Sequence, residues 1–145
     1  MTLHAPYDAS NIFAKIMAGD VPCAKIYEDD DVLSFMDAFP QTRGHCLVIP
    51  KAASRNILDT DPDVLARVIT KVQKIAKGVE ATLSPDGIVV TQFNGAPAGQ
   101  TVFHLHFHII PRYDGDKQKP HASGAMANMD DLLAIAEQIK QKLQD

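Results

Sequence analysis

The sequence has only two cysteines, Cys23 and Cys46. They are too few for a disulfide scaffold and too far apart for a CxxC metal site, so we expect two free thiols. No apolar run approaches the roughly 20 residues that a membrane span needs. The opening stretch, MTLHAPYDAS, also lacks the basic and then apolar pattern of a signal peptide. These absences predict a cytoplasmic protein without a membrane partner.

Positive charge is not concentrated in any block of the chain. Lysine and arginine number 14 against 18 aspartates and glutamates, which gives a formal net charge of -4. A chain without a basic patch lacks the electrostatic footprint of nucleic-acid binding, so we expect no nucleic-acid partner. The 145 residues, 46% hydrophobic and 22% charged, suffice for one core and are too few for two ordinary domains. We therefore predict a single soluble domain over residues 1–145.

Short apolar runs separated by turn residues predict an α+β fold with an antiparallel sheet, because short loops join most neighbouring strands. We expect strands over residues 23–28, 32–37, 45–49, 87–93 and within 100–112. We expect helices over 10–18, from 61 onward and over 130–143. Pro50 and Pro111 should end their strands, because proline has no N–H to donate. The remaining segments are predicted as a loose N-terminus over 1–9, a loop over 112–127 and a C-terminal helix within 128–145.

The chemistry in this sequence is concentrated in the stretch GQTVFHLHFHIIPR, which holds His104, His106 and His108. On a strand these three alternate residues would share one face, and the apolar residues between them would face a core. A lone histidine is most often structural. Three on one face, close to the polar side chains of Asn94 and Thr101, favour a functional site. Imidazole can act as nucleophile, acid or base near neutral pH.

That stretch resembles the His-x-His-x-His-x-x motif of the histidine-triad (HIT) superfamily, and two longer segments extend the likeness. They are KIMAGDVPCAKIYEDDDVLSFMDAFPQTRGHCLVIPK and NGAPAGQTVFHLHFHIIPR, which resemble the bacterial branch close to the Hint nucleoside phosphoramidases. The resemblance implies a HIT-like fold with a five-stranded antiparallel sheet, two main helices and here a C-terminal helix. It also implies a homodimer whose sheets join, and cleavage of purine nucleotides at the α-phosphate through a covalent nucleotidyl-histidine.

The resemblance also implies a role for individual residues. His106 matches the nucleophile, His108 the residue that contacts the phosphate, and His104 and His45 the polar residues that support the nucleophile's ring. Asp37 matches the acid that receives the ribose hydroxyls. Three residues match polar positions around the phosphate and the leaving group: Asn94, Gln100 and Thr101, of which Thr101 would relay the proton. Three others match apolar positions around the base: Ile12, Phe13 and Phe35.

One departure from the family pattern concerns a structural zinc. Many bacterial members hold it with a Cys-x-x-Cys pair, a further histidine and a triad histidine. This sequence has Asn11 and Ala14 in place of the pair and Ala53 in place of the further histidine. Zinc sites of this kind need thiolate or imidazole ligands. We therefore predict no metal and no cofactor.

Three other functions are compatible with the sequence. Within the same chemistry, the chain could be a dinucleoside polyphosphate hydrolase, since the leaving group is not evident from the motif. A nucleotide-binding module without catalysis would keep the same pocket. A metal-binding module would require the rings of His104, His106 and His108 to converge on one ion, although no cysteine or carboxylate adjoins them.

Overall fold

The computed structural model describes residues 3–116 and 125–143, and these form one five-stranded antiparallel sheet with three α-helices. The strands are β1 Lys25–Glu28, β2 Val32–Met36, β3 Cys46–Pro50, β4 Gly87–Thr91 and β5 Phe107–Arg112. The helices are α1 Ile12–Met17, α2 Pro62–Leu83 and α3 Met129–Lys142. The strand order is β1-β2-β3-β5-β4. The predicted α+β class and the antiparallel five-stranded sheet are confirmed.

Both faces of the sheet are covered. The larger core lies between the sheet and helices α2 and α3, where Val72 and Ile75 of α2 and Ile139 of α3 are buried. Asp61 caps α2 by accepting from the N–H of Asp63 at 2.8 Å, and the helix begins at proline as the sequence predicts. A smaller cluster on the other face packs Phe13 of α1 against residues of β2 and β3: Leu33, Phe35, Leu47 and Ile49.

The histidine-rich stretch departs from the prediction of one regular strand. β5 begins at Phe107, so His104 and His106 precede it and only His108 belongs to the strand. The segment before β5 makes other bonds, since the N–H of Leu105 donates to the carbonyl of Ser54 at 2.8 Å. The prediction that all three histidines share one face of a strand is therefore wrong. All three side chains are nevertheless buried.

β3 ends at Pro50 as predicted, whereas Pro111 does not end β5, which continues to Arg112. In an antiparallel strand the N and O of one residue point to the same side. The carbonyl of Pro111 accepts from Thr42 Oγ1 at 2.6 Å, beyond the last residue of β5 that pairs with β3. The absent N–H of Pro111 therefore faces a side without a strand partner, and the ladder to β4 continues.

The N-terminal segment, predicted to be loose, is anchored. The side chain of Asn56 donates to the carbonyl of Leu3 at 2.9 Å, and Tyr7 contacts the histidine stretch. Helix α1 begins at Ile12, later than the predicted start at residue 10, because Asn11 caps it by accepting from the N–H of Ala14.

Three other features complete the fold. Both cysteines are free thiols as predicted, with Cys46 buried. The central part of the predicted loop at 112–127 lies outside the described residues. Within the described ranges, no helix combines the length and the apolar character needed to cross a bilayer.

Candidate functional site

A cavity of about 500 Å³ lies beside the histidine stretch, within the usual size range of small-molecule sites. Its walls are mostly apolar and come from α1, from the chain just before β1, from β2 and the turn after it, from β3, from residues 101–108 and from residues 126–132. The lining residues are Ile12, Phe13, Ile16, Val21, Pro22, Cys23, Ala24, Phe35, Met36, Asp37, Ala38, Phe39, Leu47, Thr101, Val102, His106, His108, Met126, Ala127, Met129 and Leu132.

His106 lies in the wall of this cavity, and a backbone carbonyl two residues earlier in the chain holds its ring. Its Nδ1 is 2.7 Å from the carbonyl oxygen of His104. A carbonyl oxygen can only accept, so Nδ1 carries a proton, and in the neutral ring the lone pair is on Nε2. Edge contacts with the rings of Phe13 and His108, each at 4.9 Å between centroids, restrict its orientation. Phe13 and the His104 carbonyl thus hold the ring that the sequence predicts as nucleophile.

His104 is fully buried and does not line the cavity. Its Nε2 is 2.8 Å from the carbonyl oxygen of Pro50, which requires a proton on Nε2. Its Nδ1 lies 2.6 Å from the hydroxyl of Tyr7. Burial lowers the pKa of His104, against the opposite effect of the bond to Pro50, so the ring is held in its neutral form. The contact between His104 and His106 is made by the backbone carbonyl of His104, and the ring of His104 makes other bonds.

His45 connects Asp37 to His108. The N–H of Gln41 donates to Nδ1 of His45 at 3.0 Å, so the proton of neutral His45 is on Nε2. That Nε2 lies 3.0 Å from Nδ1 of His108 and 3.3 Å from a carboxylate oxygen of Asp37. If His45 donates to Nδ1 of His108, the proton of neutral His108 is on its Nε2. The hydrogen bond of His45 therefore supports the histidine predicted to contact phosphate.

Several predicted residues do line the cavity. Thr101 reaches it because the segment before β5 is not a strand, so strict alternation of side chains does not apply to it. Asp37 lines it while its other carboxylate oxygen accepts from the N–H of Phe39 at 2.8 Å. The three residues predicted around the base form apolar wall: Ile12, Phe13 and Phe35.

Asn94 and Gln100 do not line the cavity, and their contacts do not support the role predicted for them at the phosphate. Gln100 is buried, and its amide nitrogen donates to the carbonyls of Arg55 and Val102 at 2.8 and 3.0 Å. Both amide hydrogens are thereby used. Asn94 accepts from the N–H of Ile57 and is bonded to Gln92 in both directions. Both amides hold together the loops behind the site.

The same contacts limit where a metal ion can bind. The zinc site of related bacterial proteins cannot form, because Asn11 offers an amide already bonded to Tyr7 and Ala14 offers no ligand. Among the described residues, the only group of three or more potential ligands within 4.8 Å of one another is Asp37, His45 and His108. The three triad histidines do not form such a group. The absence of a metal remains a prediction.

Sequence reasoning missed the contribution of two segments. Tyr7 lies in a stretch without periodicity, and nothing in the local sequence indicates that its hydroxyl meets His104. Met126 and Met129 form part of the cavity wall, which is held by the bond from the N–H of Ala127 to the carbonyl of Ala38 at 2.8 Å. The apolar face of the C-terminal helix predicts that this face is buried. That the first turn of α3 lines the cavity follows only from the assembled fold.

The chain is similar to known proteins in both sequence and fold. The family model described as HIT domain matches residues 18–115. The protein named adenylylsulfatase HINT3 from Arabidopsis thaliana is 41% identical over 105 residues, which is 72% of this chain and 53% of that protein.

Two solved structures have the same fold. A Hit-like protein of Bartonella henselae, described as involved in cell-cycle regulation, is 48% identical with a TM-score of 0.90, over 95% of this chain and 99% of that one. A hypothetical histidine triad nucleotide-binding protein of Sulfolobus tokodaii is 30% identical with a TM-score of 0.83, over 91% of each chain.

Proposed function

The chain belongs to the HIT-domain family, and we propose that it is a hydrolase of the nucleoside phosphoramidase type. It would cleave purine nucleotides at the α-phosphate through a covalent nucleotidyl-histidine on His106. The observation that carries the proposal is the tautomer of His106, whose Nδ1–H is bound to the His104 carbonyl beside a cavity of nucleotide size. A related protein named as an adenylylsulfatase supports cleavage next to an adenylyl group.

The nucleophile in this proposal is Nε2 of His106. When its lone pair attacks the α-phosphorus, an N–P bond forms, the bond from phosphorus to the leaving nitrogen breaks, and the ring becomes positively charged. The carbonyl of His104, already the acceptor for Nδ1–H at 2.7 Å, stabilises that charge. Water then attacks the same phosphorus, and the ring leaves with its lone pair restored.

The negative charge of the phosphate oxygens needs a donor, and His108 can supply one. With Nδ1 of His108 facing the Nε2–H of His45, its own Nε2–H can donate to a non-bridging oxygen of the substrate. The departing amine needs a proton, and the hydroxyl of Thr101 lies in the same wall. No metal is required for these steps, because phosphoryl transfer asks mainly for positioning and electrostatic stabilisation.

The rest of the cavity suits a nucleoside. Its base end is apolar, with Phe13 and Phe35 packed edge to face at 5.5 Å, and a flat purine can lie against such a surface. Asp37 has carboxylate lone pairs beyond those used by Phe39 and His45, so it can accept from ribose hydroxyls. Asp37 and His108 line the same cavity, which supports the proposal that one binds the sugar and the other the phosphate.

The test compares adenosine phosphoramidate, a dinucleoside polyphosphate and adenylyl sulfate as substrates of the purified protein. We expect the phosphoramidate to have the highest kcat/KM and acid-quenched samples to carry one nucleotidyl group by intact mass. A chiral phosphorothioate analogue should react with retention at phosphorus, because two in-line displacements restore the configuration. Inversion without a covalent adduct would refute the mechanism, and preference for the dinucleotide would assign the rival activity.

We also propose a homodimer in which β4 pairs with the β4 of a second copy. β4 is an edge strand without charged residues, and Val89 and Val90 on its two faces are 37% and 46% exposed. Such an edge offers unpaired backbone groups and apolar surface to another strand. Pairing of two edges would extend the sheet across both copies.

A charge on this edge should separate the copies. We expect the wild type to elute as a dimer and Val90→Lys as a monomer in size-exclusion chromatography with light scattering, because the lysine ammonium cannot be buried unpaired. Leu133→Lys is the matched control, since Leu133 of α3 is also 46% exposed and lies away from β4. Dissociation in both variants, or in neither, would contradict the proposed interface.

A further inference from the structure

A chain of short hydrogen bonds links the N-terminal segment to the proposed nucleophile. The side-chain nitrogen of Asn11 lies 3.0 Å from the hydroxyl of Tyr7, and that hydroxyl lies 2.6 Å from Nδ1 of His104. The ring of His104 continues through Nε2 to the carbonyl of Pro50, and its backbone carbonyl receives Nδ1–H of His106. Four residues are therefore connected in series, and the carbonyl of Pro50 at the end of β3 holds the ring of His104 from its other side.

The direction of each bond in this chain follows from chemistry. The Pro50 carbonyl can only accept, so Nε2 of His104 donates and Nδ1 is left as an acceptor. The hydroxyl of Tyr7 must then donate to Nδ1. The amide nitrogen of Asn11 can only donate, so it occupies a lone pair of the Tyr7 oxygen and leaves the hydroxyl hydrogen directed at His104.

Asn11 is itself fixed by two further bonds. Its oxygen accepts from the N–H of Ala14 as the N-cap of α1, and its nitrogen also donates to the carbonyl of Asp8 at 2.8 Å. The amide cannot exchange its oxygen and nitrogen without losing both. The cap of α1, whose next residues line the cavity, thereby sets which way the Tyr7 hydroxyl points.

We propose that Tyr7 and Asn11 are positioning residues for the reaction: together with the Pro50 carbonyl they fix the orientation of the neutral His104 ring, and the backbone carbonyl of His104 in turn holds Nδ1–H of His106. This inference goes beyond the proposed function, and its kinetic part rests on it. Tyr7 and Asn11 would hold the His104 ring in one orientation by hydrogen bonds alone. Tyr7 contacts neither substrate nor the reacting atoms, because it does not line the cavity.

Two variants break the chain at different points. Tyr7→Phe removes the donor to Nδ1 of His104. Asn11→Asp keeps an oxygen that can cap α1, since aspartate is as good an N-cap as asparagine. It replaces the donor to Tyr7 with an acceptor that draws the hydroxyl hydrogen away from His104. Loss of one neutral hydrogen bond predicts a fall in kcat of about fivefold to tenfold for each, with KM for adenosine phosphoramidate changed less than about twofold.

The double variant separates this proposal from general loosening of the N-terminus. If Asn11 acts through Tyr7, then Asn11→Asp should lower kcat by less than about twofold further in the Tyr7→Phe background. The contact between the new carboxylate and the Asp8 carbonyl is present in both backgrounds and cancels in this comparison. If the double variant instead shows the product of the two single-variant losses in kcat, Asn11 does not act through Tyr7 and the proposal is overturned. Tyr27→Phe, which removes a hydroxyl bound to Asp29 in the β1–β2 turn, should retain wild-type kcat.

A spectroscopic measurement decides the inference without activity. In wild type, the 15N resonances of the His104 ring should show the proton on Nε2 and a hydrogen bond accepted at Nδ1. In Tyr7→Phe and Asn11→Asp the Nδ1 resonance should shift, because that nitrogen loses its donor. A wild-type proton on Nδ1, or an unchanged Nδ1 resonance in both variants, would overturn the proposal. A wild type that shows the expected tautomer but turns over no nucleotide would instead refute the proposed function. If Tyr7→Phe fails to fold, Asn11→Asp, with its cap retained, gives the answer.

Discussion

Replacing His106 with asparagine should abolish turnover of adenosine phosphoramidate, with kcat lowered on the order of 1000-fold or more, as expected when a covalent nucleophile is removed. The asparagine side chain can still donate to the His104 carbonyl, which accepts from His106 at 2.7 Å. It offers no ring nitrogen with a lone pair for attack on phosphorus. KM should stay within a few fold of wild type, because the cavity walls are unchanged. Steady-state kinetics and intact mass after an acid quench measure both effects.

His4→Asn is the matched control for this result, because His4 is exposed and does not line the cavity. It makes the same chemical change in the N-terminal segment and should retain wild-type turnover and the nucleotidyl adduct. Turnover of His106→Asn at an undiminished rate would show that another group attacks phosphorus. An adduct that persists in His106→Asn would place the covalent bond on a different histidine.

The fold was largely predictable from the chain, because its elements are marked by local chemistry. Asp61 and Pro62 mark the start of α2, and the apolar stripe that includes Val72 and Ile75 marks the face that packs on the sheet. The strand ends were predicted less well. Pro111 continues β5 because its missing N–H faces the side where β3 has already ended. Which side of a strand has a partner is a property of the assembled sheet.

The site was predictable in its residue types and less so in its connections. His106 and Asp37 line the cavity as the motif predicts. Gln100 was expected at the phosphate, but it lies where its amide is fully bonded to the carbonyls of Arg55 and Val102. Tyr7 was not expected at all, since its partner His104 lies 97 positions along the chain. Long-range bonds of this kind leave no periodic signal in a sequence.

His45 shows how the structure reassigns a role that the motif leaves open. The resemblance implies support of the nucleophile, whereas the hydrogen bond of its Nε2 is to His108 at 3.0 Å. The same nitrogen lies 3.3 Å from Asp37. In the proposed function Asp37 can act either on the ribose or, through His45, on the histidine at the phosphate. The two possibilities give different kinetics, so they can be separated by changing the sugar.

Asp37→Asn should lower kcat/KM for adenosine phosphoramidate by about 10-fold to 100-fold, the cost of losing hydrogen bonds to a charged group. The wild type should lose a similar factor on the 2′,3′-dideoxy substrate, and Asp37→Asn should then add less than about threefold, because the hydroxyls it would have bound are already absent. Asp30→Asn, an exposed carboxylate in the β1–β2 turn, is the control and should behave as wild type. Equal losses on both substrates would mean that Asp37 acts through His45 and His108, since that effect does not depend on the sugar.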